Sequence, residues 1–223
     1  MSIVEQIKEE KIVAIVRGIA GEKLISLADA LYAGGISLME VTFDHSSEEG
    51  IQNTLEGIAL LTRERGETMQ IGAGTVLNTI EVKKAKDAGA KYIITPNVNG
   101  DVITKAKEYG MAVMPGALTP TEIEFAHWLG ADIVKVFPAG NMGPDYIKAI
   151  RGPLGFIPLA AVGGVSAENI AAFHKAGCVA FGVGGNLVDK KKIEAGAFDE
   201  ITAYAKRLRA ELTLRDYIKS GLY

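Results

Sequence analysis

A single (β/α)8 barrel is the fold that this sequence predicts, and three features of the chain favour it. Eight short apolar segments alternate with amphipathic stretches, as in a parallel sheet whose strands are joined by helices. Many of the amphipathic stretches end in glycine, in "AGG", "AGA", "LGA" or "AGC", as helices commonly do. No Ser/Pro-rich linker divides the chain, so we expect one domain over residues 1–223. An open doubly wound sheet is the alternative, because strand counts from sequence can be wrong by one or two.

The strand candidates are short and rich in β-branched residues. They cover residues 12–18, 37–43, 69–75, 91–96, 111–116, 132–138, 156–163 and 178–185. Three helix starts carry a capping side chain three residues before a carboxylate: Ser46 with Glu49, Asn78 with Glu81, and Thr119 with Glu122. The segment before Ile12 is expected to form an extra helix that closes the bottom of the barrel. Residues 213–223 are expected to form a C-terminal docking helix or a partly ordered tail.

Composition and charge argue against several classes of function. The formal net charge of −3 gives no electrostatic reason to expect nucleic acid or an anionic membrane as a partner. The single Cys178 cannot form an intrachain disulfide and fits a reducing compartment. The N-terminal segment is too charged for a signal peptide, and no apolar run is long enough to span a bilayer. We therefore expect a cytoplasmic protein.

One lysine interrupts an apolar strand candidate. In "ADIVKVFPAG" (131–140), Lys135 alternates in phase with Ile133 and Phe137. An ammonium group is costly to bury unless it is paired, neutralised or used in chemistry. The same alternation puts three more polar side chains on the interior face of other strands, at or near their ends: Arg17, Glu40 and Thr75. Catalytic groups of barrel enzymes lie at the C-terminal ends of strands, so these four residues predict a site at the barrel mouth.

These side chains suit Schiff-base chemistry. Apolar neighbours and a nearby Arg17 should lower the pKa of Lys135, and a neutral amine attacks ketones to form an iminium, which is an internal electron sink. Glu40, directly or through one water, can then act as general base and acid. The alternative interpretation is that Lys135 and Glu40 form a structural ion pair.

Two glycine pairs follow the last two strand candidates. Gly163 and Gly164 stand in "AVGGVSAEN", and Gly184 and Gly185 stand in "FGVGGNL". Backbone amides of these two loops form a phosphate site in many barrels, although tight turns also need glycine. The chain has no Walker A, dinucleotide or HExxH motif, and its three histidines show no ligand spacing. We therefore expect neither a metal nor an organic cofactor.

Seven segments, in order along the chain, resemble the 2-keto-3-deoxy-6-phosphogluconate / 4-hydroxy-2-oxoglutarate aldolase family. They are "VAIVRG", "MEVTF", "IGAGTVLN", "YIITPNVN", "MPGALTPTE", "VKVFPAG" and "AAVGGVSAENI". The resemblance implies a class I aldolase on a (β/α)8 barrel, usually homotrimeric, with Lys135 as the Schiff-base lysine and Glu40 as the general acid/base. It implies that Arg17 and Thr75 lie near the carboxylate and keto end of the substrate. It also implies that the site is lined by Pro96, Gly163, Gly164, Gly184 and Gly185.

Two residues depart from the pattern of this family. Asp44 stands where many members carry a substrate-binding arginine, and members that act on the galactonate epimer also lack that arginine. Asn186 stands where a serine usually follows the last glycine pair. The expected reaction is cleavage of 2-keto-3-deoxy-6-phosphogluconate, or 4-hydroxy-2-oxoglutarate, to pyruvate and glyceraldehyde 3-phosphate, or glyoxylate. The alternatives are a 6-phosphogalactonate aldolase, another sugar-phosphate isomerase or epimerase, and a non-catalytic sugar-phosphate-binding barrel.

Overall fold

Strands and helices alternate along the whole described chain. The computed structural model describes the backbone of residues 1–219 and the side chains of residues 1–213. The strands are β1 Ile12–Val16, β2 Leu38–Thr42, β3 Gln70–Gly74, β4 Tyr92–Ile94, β5 Ala112–Met114, β6 Gly116–Ala117, β7 Val134–Val136, β8 Leu159–Val162 and β9 Ala180–Val183. The helices are α1 Ile3–Glu10, α2 Gly21–Ala33, α3 Glu48–Arg65, α4 Thr79–Asp87, α5 Gly100–Glu108, α6 Pro120–Trp128, α7 Ala139–Leu154, α8 Ile170–Ala176, α9 Lys190–Glu194 and α10 Phe198–Lys219.

All strand pairs are parallel, and they follow the order β5-β4-β3-β2-β1-β9-β8-β7-β6. Strands β5 and β6 at the two ends of this order are halves of one chain segment, separated only by Pro115. The carbonyl of Pro115 accepts a hydrogen bond from the Lys135 amide at 2.9 Å, so the segment joins β4 on one side to β7 on the other. The eight predicted strand positions therefore form a parallel α/β barrel, and the open doubly wound alternative is wrong.

The fifth strand position is split because proline has no amide hydrogen to donate to the sheet. Two of the three predicted helix caps are confirmed. Asn78 accepts from the Glu81 amide, and Thr119 with Glu122 forms a reciprocal capping box. The prediction for Ser46 is wrong by one residue, because its amide donates to the Asp44 carboxylate and Ser47 caps α3 instead.

The core has two layers, as a barrel requires. The outer layer lies between strands and helices, and the inner layer fills the barrel with side chains that include Val13, Leu38 and Tyr92. Ile7 of α1 belongs to the inner layer, so the N-terminal helix closes the barrel bottom as predicted. Helix α10 continues the backbone to Lys219, while residues 220–223 of the predicted C-terminal segment lie outside the described part. No described helix is long and apolar enough to cross a membrane.

Candidate active site

One cavity opens at the C-terminal ends of the strands, with a volume of about 480 Å³. All nine residues that the sequence singled out for the site line it: Arg17, Glu40, Thr75, Pro96, Lys135, Gly163, Gly164, Gly184 and Gly185. Five further residues complete the wall: Ile15, Phe137, Val162, Val165 and Asn186. Residues that are more than 160 positions apart in the chain therefore meet in one place, because the closed sheet brings all strand ends to one mouth.

Lys135 is the middle residue of β7 and points into the barrel mouth. Its neighbours Val134 and Val136 pack in the outer layer, as the alternation predicts. The residue is only 7% exposed, and its ammonium nitrogen lies 4.8 Å from the centre of the Phe137 ring. Burial lowers the pKa of Lys135; the Glu40 carboxylate opposes this shift and Arg17 reinforces it. A larger fraction of this amine is therefore neutral than of an ordinary surface lysine.

Glu40 on β2 is 2% exposed and faces the same cavity. Burial raises the pKa of its carboxyl group, against the opposing effects of Lys135 and Arg17. The carboxylate lies directly over Gly74 of β3, where a β-carbon would stand 1.5 Å from Oε1. Thr42 donates a long hydrogen bond of 3.5 Å to the same oxygen. Glycine at position 74 is therefore required for this placement of the acid.

Lys135 and Glu40 interact electrostatically but do not form a close ion pair. Within the described side chains, neither group has a charged partner at a nitrogen–oxygen distance of 4.0 Å or less. A buried ion pair held for stability needs close contact and additional hydrogen bonds to offset desolvation. The geometry consequently gives no support to the structural ion pair, and both groups line the same open cavity.

Arg17 and Thr75 follow β1 and β3, the two strands on either side of β2, which carries Glu40. The Arg17 guanidinium donates to the Thr75 hydroxyl at 3.3 Å. Thr75 has a φ of +55°, which is unfavourable for a β-branched residue and typically persists only at functional sites. The pair offers a cation and a hydroxyl group to an anionic part of a ligand.

The two glycine loops lie side by side. Gly163 and Gly164 have φ values of +85° and +76°, and the Gly163 carbonyl accepts from the Gly140 amide at 2.7 Å. A side chain at Gly163 would meet Phe137 at 3.1 Å, so local packing also accounts for part of this glycine pair. Asn186 donates from Nδ2 to the Val165 carbonyl at 3.2 Å and thereby links the two loops.

The histidines and the cysteine lie outside this cavity. His45 is 3.1 Å from Glu81, His127 contacts Phe156, and His174 packs edge-on against Phe181. Burial raises the pKa of the Cys178 thiol to about 12. No group of three or more potential metal ligands occurs among the described residues.

Sequence reasoning missed two glycines that make the site possible. Gly72 and Gly74 both stand in the segment "IGAGTVLN", but the sequence analysis assigns neither of them a role in packing. The available signal was a pair of glycines two apart on β3, since glycine inside a strand often marks a close approach of neighbouring groups.

Comparison with known proteins agrees with this geometry. The family model "Aldolase: KDPG and KHG aldolase" matches residues 3–204. The chain is 34% identical to 2-dehydro-3-deoxy-6-phosphogalactonate aldolase of Escherichia coli (strain K12), over 89% of this chain and 96% of that protein. It is 32% identical to 2-dehydro-3-deoxy-phosphogluconate aldolase of Haemophilus influenzae, over 89% and 91% of the two chains.

A solved structure described as native KDPGal has the same fold. It superposes with a TM-score of 0.81 at 32% identity, covering 93% of this chain and 96% of that chain. The chain thus belongs to the KDPG and KHG aldolases, a family of class I aldolases.

Proposed function

We propose that this protein cleaves a 2-keto-3-deoxy-6-phospho sugar acid to pyruvate and glyceraldehyde 3-phosphate, with Lys135 as the Schiff-base lysine. The observation that carries the proposal is an amine of lowered pKa and a carboxyl group of raised pKa facing one cavity without direct pairing. Burial favours the neutral form of both groups, which are the forms that attack a ketone and deliver a proton.

The proposed reaction begins when the neutral Lys135 amine attacks the C2 keto carbon. The carbinolamine loses water with a proton from Glu40, which leaves an iminium and an ionised Glu40. The Glu40 carboxylate takes the proton of the C4 hydroxyl, and the C3–C4 electron pair moves into the iminium as glyceraldehyde 3-phosphate leaves. Glu40 returns the proton to C3 of the enamine, and hydrolysis of the new iminium releases pyruvate. Because the iminium accepts the electrons, these steps require no metal ion.

The remaining wall residues are assigned to substrate binding. Arg17 and Thr75 suit the substrate carboxylate, because they join a cation to a hydroxyl group in the cavity, and the Arg17 charge acts on both Lys135 and Glu40. The glycine loops at 163–164 and 184–185 expose backbone to the cavity without side chains in the way, which suits the distal phosphate. Pro96 lines the same cavity after β4.

The galactonate epimer is the substrate we infer, with the gluconate epimer and 4-hydroxy-2-oxoglutarate as alternatives. Asp44 supports this inference, since it stands where gluconate-type members of the family carry arginine. Hydrogen bonds from Ser46 and the charge of Arg17 both stabilise its ionised carboxylate. The relative named for the galactonate substrate is as similar to this chain as the one named for gluconate.

A direct assay distinguishes these substrates. Each compound is supplied to the purified enzyme, and pyruvate release is followed by a coupled lactate dehydrogenase reaction. We expect the highest kcat/KM with 2-keto-3-deoxy-6-phosphogalactonate, and no release from any compound by Lys135→Met. A higher kcat/KM for the gluconate epimer would overturn the epimer inference, and absence of pyruvate from all three compounds would overturn the aldolase proposal.

We also propose that the protein works as a homotrimer, as the family resemblance implies. The support is an exposed aromatic patch formed by Phe125, His127, Trp128 and Phe156. Trp128 is 74% exposed, and the patch adjoins an apolar groove that shares Pro96 and Phe137 with the active-site cavity. Exposed aromatic clusters of this kind are typical of protein interfaces.

A further inference from the structure

Tyr92 is a buried phenol that the proposed reaction does not use. It is the first residue of β4, is 1% exposed, and lies in the inner layer of the barrel among apolar side chains. Its hydroxyl makes no close hydrogen bond with the described residues, although the Met39 backbone lies near enough to act on its pKa. Oε2 of Glu40, the carboxylate oxygen that Thr42 does not contact, also has no hydrogen-bond partner among the described residues.

Strand β3 places these two unsatisfied groups in neighbouring layers of the barrel. Glu40 pairs in register with Gly72, and Gly72 pairs with Tyr92, so the three strands are adjacent. A β-carbon at Gly72 would stand 2.1 Å from the Tyr92 ring, and one at Gly74 would stand 1.5 Å from Glu40. Positions 72 and 74 are on the same face of the strand and roughly 7 Å apart. Both side chains thus cross β3 where it has no side chains of its own.

The presence of a hydroxyl group on this buried ring needs a physical explanation. A buried polar atom without a partner destabilises a protein, whereas phenylalanine would fill the same space without that penalty. A phenol donates a hydrogen bond and an ionised carboxylate accepts one, so the two unsatisfied atoms are complementary. Burial and the Glu40 charge raise the pKa of Tyr92 against the smaller opposing effect of the Met39 backbone, which keeps its proton in place for donation.

We propose that the Tyr92 hydroxyl holds Oε2 of Glu40 through one bound water, and so orients the carboxylate toward the Lys135 adduct. Tyr92 is then a positioning residue, and the inference rests on the proposed acid/base role of Glu40. The other groups that act on Glu40 are Lys135 from β7, Arg17 after β1, and Thr42 on its own strand. Tyr92 adds a hydroxyl donor from β4, on the side of Glu40 that faces the bottom of the barrel.

The consequence is a change in the pH profile of proton transfer. Removal of a proton from the methyl group of enzyme-bound pyruvate requires ionised Glu40, so its rate rises with pH through the pKa of that group. A donor hydrogen bond stabilises the ionised form and opposes the effect of burial. Its loss in Tyr92→Phe raises the pKa of Glu40 further, and we expect the rising limb to move up by about one pH unit.

The test measures exchange of pyruvate methyl protons in heavy water by NMR, from acidic to neutral pH at saturating pyruvate. Borohydride trapping of the adduct in the same samples reports Lys135 separately. Tyr146→Phe is the matched control, because it removes a hydroxyl that donates to the Leu118 carbonyl at 2.6 Å outside the cavity. Glu40→Gln sets the baseline, where exchange falls by roughly 10²–10⁴-fold.

We expect Tyr92→Phe to shift the exchange profile with trapping unchanged, and Tyr146→Phe to leave the profile at its wild-type position. An unshifted profile for Tyr92→Phe, or a uniform loss at every pH, would overturn the role of Tyr92 while Glu40→Gln still shows the acid/base role. Wild-type exchange in Glu40→Gln would instead overturn the proposed function on which the inference rests.

Discussion

At the scale of residues, the site depends on two buried ionisable groups whose charged forms are disfavoured by burial and only partly restored by their mutual attraction. Burial lowers the pKa of Lys135 and raises that of Glu40, while their mutual attraction opposes both shifts. The distance between them decides the balance, because a close pair would restore full charge on each. Gly74 controls that distance, since the Glu40 carboxylate occupies the space that any side chain there would need.

Gly74→Ala is therefore expected to displace Glu40. We predict a loss of about 1–3 kcal/mol in the free energy of unfolding, and proton exchange near the Glu40→Gln baseline. The control is Gly100→Ala at the start of α5, where the nearest atoms, those of Leu129, lie 3.6 Å from the new β-carbon. That variant should stay within roughly 0.5 kcal/mol of wild type. Thermal unfolding and methyl exchange measure both quantities, and wild-type exchange in Gly74→Ala would contradict the account.

At the scale of elements, the strands and most helix starts follow from the sequence because their signals are local. Alternation within one strand decides which side chains enter the barrel, and so Lys135, Glu40, Arg17 and Thr75 could be assigned to one mouth. Capping by Thr119 is equally local and is predicted correctly. The prediction of Ser46 as the cap of α3 is wrong, because the cap position depends on the turn in which the Ser46 amide donates to the Asp44 carboxylate.

Features that depend on register between strands could not be predicted. The position of Tyr92 beneath Glu40 requires knowing that both cross β3 at glycines. The split at Pro115 requires knowing that its carbonyl, and not its missing amide, faces β7. Likewise, the separation of Lys135 from Glu40 is set by the curvature of the whole sheet. Each of these is a relation between elements that no single segment encodes.

At the scale of the whole molecule, the described part of the barrel leaves the aromatic patch of Phe125, His127, Trp128 and Phe156 uncovered. The aromatic patch on α6 and the loop after α7 contains the only tryptophan in the sequence, Trp128. It stands beside the groove that shares Phe137 with the active site, so assembly through this surface would fix a wall of the cavity. One chain would then form the whole barrel, whereas the cavity wall at Phe137 would be held in place only in the assembly.

Phe156→Glu is expected to disrupt that assembly. One chain is 23.7 kDa, so light scattering should give a trimer of about 71 kDa for wild type and a smaller mass for the variant. Trp128 fluorescence should move to longer wavelength as the ring becomes hydrated. Ile80→Glu, an equally exposed position on α4 outside the patch, should leave both readings unchanged. A monomeric wild type, or a Phe156→Glu variant with unaltered mass and emission, would contradict a trimer built on this patch.

The central claim, that Lys135 forms the Schiff base, is tested most directly by borohydride reduction in the presence of pyruvate, followed by peptide mass mapping. Because burial lowers the pKa of Lys135, its neutral fraction exceeds that of an exposed lysine at the same pH, and trapping should decline as the pH falls and the amine becomes protonated. We predict a single pyruvate-derived adduct on the peptide that contains Lys135 and none in Lys135→Met. An unmodified Lys135 peptide, or equal labelling of exposed lysines in Lys135→Met, would contradict the claim.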